Sequence, residues 1–130
     1  MSETQRFSDR IYESILLRLA LRVEREVGKT IDEVHEQEFD GYNGLDQDLY
    51  LRGRLSVEGE QTRFGWVSLT VMAVAHEGDR GIHQAHVRFE PCLSKHLIVD
   101  RVQDLCWRVA KEASVIYKSL EEADGVSLRL

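Results

Sequence analysis

Residues 48–58 read Asp-Leu-Tyr-Leu-Arg-Gly-Arg-Leu-Ser-Val-Glu, and apolar side chains alternate with polar ones along this stretch. Successive side chains of a β-strand point to opposite faces of the sheet, so this alternation predicts a strand with one buried face. The same period recurs in residues 66–73 and in residues 83–90. The sequence therefore predicts three consecutive strands.

The connections between these strands are short and polar, and each contains glycine. They read Glu58-Gly-Glu-Gln and Glu77-Gly-Asp-Arg-Gly81, which is chemistry typical of β-hairpins. Pro91 is expected to end the third strand, because proline has no N–H group to donate to the sheet. We therefore predict an antiparallel β-meander of three to four strands.

The two faces of the predicted sheet differ in chemistry. One face is aliphatic and comprises Leu49, Leu51, Leu55, Val57, Val67, Leu69, Val71, Ala73, Ala85, Val87 and Phe89, with His83 at its end. The other face is polar and aromatic and includes Tyr50, Arg52, Arg54, Trp66, Thr70, Met72, His86 and Arg88. Since aliphatic side chains gain most from leaving water, the aliphatic face is predicted to be the buried one.

Amphipathic helices are predicted on both sides of the meander. Apolar residues recur every three or four positions from Ser8, a candidate N-cap, to Val27, and Gly28 is placed to end that helix. A second apolar stripe predicts a helix from Ser94 or Leu97 to Ala123, where the sequence Asp-Gly follows. This order predicts a single α+β domain over residues 1–130, with both long helices packed on one face of the sheet.

The segment between the first helix and the meander allows two interpretations. Thr30-Ile-Asp-Glu33 matches a capping box and predicts a short helix over Ile31–Gln37. The alternative is an irregular edge strand over Val34–Phe39. The acidic segment Asp40–Asp48 that follows is predicted to be a loop, because Asn-Gly within it favours a turn.

Composition narrows the class of protein. The chain has 130 residues, of which 42% are apolar and 31% charged, as in folded globular domains. Its formal charge of −6 argues against a general nucleic-acid binder, since phosphate binding requires a basic surface. The longest apolar runs are far shorter than the ~20 residues of a membrane span. Two cysteines without a disulfide pattern favour a cytoplasmic protein with free thiols.

Motifs for catalysis or cofactor binding are not found in the sequence. It contains no GxSxG elbow, no HExxH, no CxxC and no glycine-rich phosphate loop. His86, Cys92 and His96 would converge only if the turn at Pro91 folds back, and a metal-dependent enzyme at these three residues is the least favoured hypothesis. We therefore assign no catalytic residue, no metal ligand and no cofactor, and an enzyme is less favoured than a binding protein.

The polar and aromatic face is the predicted binding site. Arginine, methionine and aromatic side chains are enriched at protein interfaces. The residues assigned to a ligand or partner are Tyr50, Arg52, Arg54, Trp66, Met72, His86 and Arg88. They predict a small non-enzymatic binding protein of the adaptor, inhibitor, immunity or chaperone type. It would act through this face or the adjacent acidic loop, with a protein partner or as a homodimer.

Two alternatives use the same face. In the first, Trp66 and Met72 are shielded by the Asp40–Asp48 loop, whose carboxylates pair with the arginines. In the second, the protein binds RNA or an anionic nucleotide, since arginines contact phosphates and aromatic rings stack on bases. The residues available for this are Arg52, Arg54, Arg63 and Arg88 together with Tyr50, Phe64 and Trp66. No membrane partner is expected.

Overall fold

The computed structural model describes residues 3–39, 48–58 and 65–129, with side chains described in 14–39, 48–58 and 65–123. In chain order the elements are helix α1 (Glu3–Val34), a π-helical segment (His35–Phe39), strands β1 (Leu49–Glu58) and β2 (Trp66–Ala75), a 3-10 turn (Glu77–Asp79), strand β3 (Arg80–Phe89) and helix α2 (Lys95–Arg129). The α+β class is confirmed.

The sheet is an antiparallel meander with the strand order β1-β2-β3. Leu51 of β1 lies opposite Ala73 of β2, which in turn lies opposite His83 of β3. The register of β3 shifts by one residue beyond this row, where Val74 pairs with Gly81 and Ile82 is the extra residue. Such a bulge bends the strand locally. The predicted meander is confirmed in the described residues.

Both helices pack on the aliphatic face, as predicted. Their apolar stripes and the aliphatic face of the sheet form one buried core, which includes Val23, Val27, Leu69, Leu105 and Val109. α1 lies mainly over β1, and α2 mainly over β3. The polar and aromatic face is therefore left on the opposite side of the sheet from both helices.

The contacts along each helix show its direction. Val27 of α1 lies over Gly53, and His35, just after the end of α1, reaches Leu51, so α1 runs antiparallel to β1. Moving forward along α2, Arg101 contacts the carbonyl of Arg88 and Glu112 contacts His83, so α2 runs antiparallel to β3. The two helices are consequently parallel to each other and to β2.

The predicted end of the first helix at Gly28 is wrong. α1 continues through Gly28 to Val34, and Ser8 lies inside the helix rather than at its N-cap. The capping box at Thr30 is also wrong, because Thr30 is 2% exposed and its hydroxyl donates a hydrogen bond to the Glu26 carbonyl. A glycine inside a helix costs about 1 kcal/mol, and burial of Val34 at the end of the same apolar stripe offsets that cost.

The two open boundaries of the sequence interpretation are settled by the structure. Residues 31–39 are helical rather than an edge strand, although the helix is not a separate one: it continues α1 to Val34 and then becomes the π-helical segment. α2 begins after Ser94, whose side-chain oxygen accepts a hydrogen bond from the Leu97 N–H at 3.3 Å. It runs through the Asp-Gly pair after Ala123 to Arg129, so the predicted stop there is wrong. In the described part of the chain, neither helix contains a stretch apolar enough to cross a membrane.

Candidate functional site

The seven predicted binding residues lie on one face of the sheet, which we call the open face. Arg52 lies opposite Met72, and Arg54 lies opposite Thr70, which is paired in turn with His86. Cross-strand partners present their side chains on the same face of a sheet. The register therefore places the seven side chains on the same face of the sheet, with Tyr50 at one end and Trp66 at the other.

A groove of about 350 Å³ runs along β1 on the open face. It is lined by Arg52, Arg54, Ser56, Glu58, Thr70, Met72 and Gln84. The charges in this groove are separated, with two arginines towards one end of the strand and Glu58 at the other. Among the described residues, Arg52 and Arg54 are exposed and form no ion pair or side-chain hydrogen bond.

Trp66 lies beside the groove and is held by two neighbours. Its indole N–H donates a hydrogen bond to Oε2 of Glu58 at 3.3 Å. The guanidinium of Arg88 lies 3.8 Å from the centre of the ring, a cation–π contact. Oε1 of Glu58 also accepts a hydrogen bond from the Ser56 hydroxyl at 3.1 Å. Glu58 is thus oriented within the groove, and Arg88 covers one side of the Trp66 ring.

Tyr50 stabilises the β2–β3 turn. Its hydroxyl donates a hydrogen bond to Oδ1 of Asp79 at 3.2 Å, and its ring lies 4.6 Å from that of His76. Gly78 and Asp79 have φ angles of 75° and 48° in this turn, the left-handed region that favours glycine. Tyr50 is on the open face as predicted, but it does not line the groove.

Four residues that line the groove were not assigned from the sequence. They are Ser56, Glu58, Thr70 and Gln84. The alternation of the strands places them on the open face, but only the register shows that they surround Arg52 and Arg54. His86 and Arg88 lie on the same face without lining the groove.

The histidine and cysteine side chains are not grouped into a cluster in the part of the chain that the structure describes. His86 is on the open face, whereas His96 lies on α2 and contacts Asp100 at 3.8 Å. In residues 3–39, 48–58 and 65–129, no group of three or more His, Cys, Asp and Glu side chains could hold a metal ion. Burial raises the pKa of the Cys106 thiol from 9.0 to about 12, so this thiol is not a nucleophile at neutral pH.

Some predicted features lie outside the described residues. They are the predicted connection after Glu58, the nearby Arg63 and Phe64, and the acidic loop after Phe39, up to Gln47. The proposed shielding of Trp66 and Met72 by that loop therefore stays a prediction. Asp48, which is exposed, is described, and its carbonyl accepts a hydrogen bond from the His76 N–H at 3.0 Å.

Comparison with known proteins identifies no relative. No family model matches the chain, and no curated protein or solved structure is significantly similar to it. The functional assignment therefore depends on the geometry and chemistry of the open face.

Proposed function

We propose that this protein is a non-enzymatic binding protein whose open face binds a partner that presents carboxylates. The observation that supports this most directly is the pair Arg52 and Arg54. Both side chains are exposed beside the groove, and neither has a partner among the described residues. The whole chain is acidic, so this basic surface is a local feature.

The groove suits a carboxylate ligand for chemical reasons. A guanidinium binds a carboxylate through two parallel hydrogen bonds, which gives direction as well as attraction. Ser56, Thr70 and Gln84 add neutral hydrogen-bonding groups along the groove, and Met72 adds an apolar surface. Because the charges are exposed, we expect them to contribute to specificity and association rate and to weaken with salt.

The proposal can be tested with a fluorescently labelled deca-glutamate peptide as the probe. We expect binding at low salt, measured by fluorescence anisotropy, and about tenfold weaker binding by the double variant R52A/R54A, equivalent to roughly 1.4 kcal/mol. The double variant R18A/R22A is the matched control. It removes the same charge from two exposed arginines of α1 and should bind like the unmodified protein.

Two results would overturn this proposal. One is no detectable binding of the peptide at low salt. The other is an equal loss of binding in R52A/R54A and R18A/R22A, because attraction would then depend on net charge alone.

A second candidate is an anionic small ligand, such as a nucleotide, bound to the same arginines. The groove volume of about 350 Å³ supports it, since small-molecule sites begin near 300 Å³. RNA binding is less favoured, because Arg88 already occupies one side of the Trp66 ring that a base would stack on. Retention on a phosphate-bearing matrix at low salt, lost in R52A/R54A, would support this second candidate.

We also propose a cytoplasmic location. Cys92 is exposed and Cys106 is buried, and both are free thiols. Free thiols persist in reducing compartments. Detection of the protein in a secreted or periplasmic fraction would contradict this location.

A further inference from the structure

We infer that the partner of the open face is a second copy of this chain, docked open face to open face across a two-fold axis. This inference rests on the proposed function, because it names the molecule whose carboxylate the open face binds. Three observations lead to it: the separated charges of the groove, the free hydrogen-bonding capacity of both charged groups, and the covered edges of the sheet.

The charge pattern of β1 is complementary to itself. On the open face, the strand presents Arg54, then Ser56, then Glu58. A two-fold axis that lies between two stacked sheets, perpendicular to their strands, places β1 against β1 of the second copy in the opposite direction. When this axis passes over Ser56, Arg54 of each copy faces Glu58 of the other. One residue pattern thus forms two ion pairs, as an isologous interface requires.

Both members of this ion pair can accept a further partner. Arg54 has none among the described residues. Glu58 accepts hydrogen bonds from Ser56 and Trp66, and an ionised carboxylate has about four acceptor positions. The two bonds orient Glu58 and leave lone pairs for a guanidinium. Trp66 therefore positions the carboxylate that the second copy binds.

The edges of the sheet are less suitable for self-association than its open face. The N–H of Leu51 on β1 already donates to Nε2 of His35, and the carbonyl of Arg88 on β3 accepts from Arg101. α1 lies over β1, so pairing two β1 edges about 4.8 Å apart would bring two α1 helices closer than the 8–10 Å that packed helices need. Sheet extension through β1 is therefore sterically opposed.

The size of the open face predicts a weak dimer. Three strands of ten residues form a face about 14 Å wide and about 33 Å long. With the two-fold axis over Ser56, only the half of the sheet around Arg54–Glu58 overlaps, so the contact covers about half of the roughly 460 Å² outline, well below the roughly 800 Å² that each partner buries in a standard interface. We therefore expect reversible, concentration-dependent dimerisation that weakens as salt rises.

Charge exchange between Arg54 and Glu58 tests this arrangement. In sedimentation experiments over a range of concentrations, we expect R54E and E58R each to raise the dimer dissociation constant about tenfold, because like charges then face each other. The double variant R54E/E58R should restore dimerisation. R108E is the control, since it reverses an exposed charge on α2 that pairs only with Asp104 among the described residues. Circular dichroism would establish that every variant is folded.

The outcomes separate this inference from the proposed function. Loss of the dimer in both single variants and its recovery in the double variant would support the inference. A monomer at every concentration, a dimer unaffected by the single changes, or no recovery in R54E/E58R would overturn it. Binding of deca-glutamate that depends on Arg52 and Arg54 would, in those cases, leave the proposed function standing with a different partner.

Discussion

At the scale of single residues, Gly53 and Gly28 differ in whether the surrounding structure has room for a side chain. A Cβ atom at Gly53 would lie 2.8 Å from Cγ1 of Val27, a distance that real Cβ contacts do not reach. Val27 is branched and buried, so it cannot easily move away. Gly28, by contrast, lies inside α1, and a methyl group added there would meet no atom within 4 Å. Gly53 therefore allows α1 to approach the sheet, whereas Gly28 has no such role.

Alanine substitutions at these glycines should have opposite effects. We expect Gly53→Ala to lower the free energy of unfolding by about 1–3 kcal/mol, the usual cost of overpacking a core. Gly28→Ala should raise it by up to about 1 kcal/mol, because alanine is the better helix former. Urea denaturation measures both. A neutral or stabilising Gly53→Ala would show that the helix and the sheet can separate at no cost.

At the scale of elements, the π-helical segment His35–Phe39 protects the outer edge of β1. His35 accepts the Leu51 N–H on Nε2 at 3.4 Å, and its ring packs edge-on against Phe39, with 5.6 Å between centroids. Exposed strand edges pair readily with other chains, and proteins commonly cover them. Residues 35–39 therefore connect the end of α1 to the sheet. They also provide an acceptor for the Leu51 N–H, a backbone donor on the edge of the sheet.

Removing only the acceptor should expose this donor. We expect His35→Phe to retain the aromatic packing against Phe39 and to accelerate hydrogen exchange of the Leu51 amide, measured by NMR. Leu69 on the central strand β2 is the internal control, and its exchange should not change. Unaltered exchange at Leu51 would mean that the amide is protected by burial rather than by His35.

At the scale of the whole molecule, two weakly acidic side chains make the free energy of unfolding depend on pH in the alkaline range. Burial raises the pKa of Cys106 from 9.0 to about 12. Partial burial, followed by the nearby carboxylates of Glu121, Asp48 and Glu77, raises the pKa of Tyr117. In both cases the folded protein favours the neutral form more than the unfolded chain does. The resulting stability is complete below the unfolded pKa of each group and is lost as pH rises through the folded pKa.

The unfolding free energy should therefore decline between about pH 9 and pH 12. We expect Cys106→Ala to be less stable than the unmodified protein at pH 7, because it loses buried contacts, but to show a shallower alkaline decline. Cys92→Ala is the control, since this thiol is exposed and free. Urea titrations at several pH values measure the slopes. Equal slopes in all three proteins would contradict the role of Cys106.

The extent to which the sequence predicts this molecule differs between the sheet and the helix boundaries. Alternation along β1 correctly assigns Leu51 to the core and Arg54 to the open face, since side-chain direction in a strand follows from backbone geometry alone. The stop predicted at Gly28 failed, because a glycine's weak local preference is overridden when residues beyond it are buried. The sequence predicted the open face but not the groove within it. The residues that line the groove come from three strands, and their register depends on long-range pairing.

The sequence by itself determined the three-stranded meander, its two chemically distinct faces and the two flanking helices. Each of these follows from a short-range period that any strand or helix must obey. Only the tertiary structure decided where α1 ends, that Trp66 is held between Glu58 and Arg88, and that Arg52 and Arg54 remain without partners in the described chain. Those properties depend on which distant residues meet, and no local period carries that information.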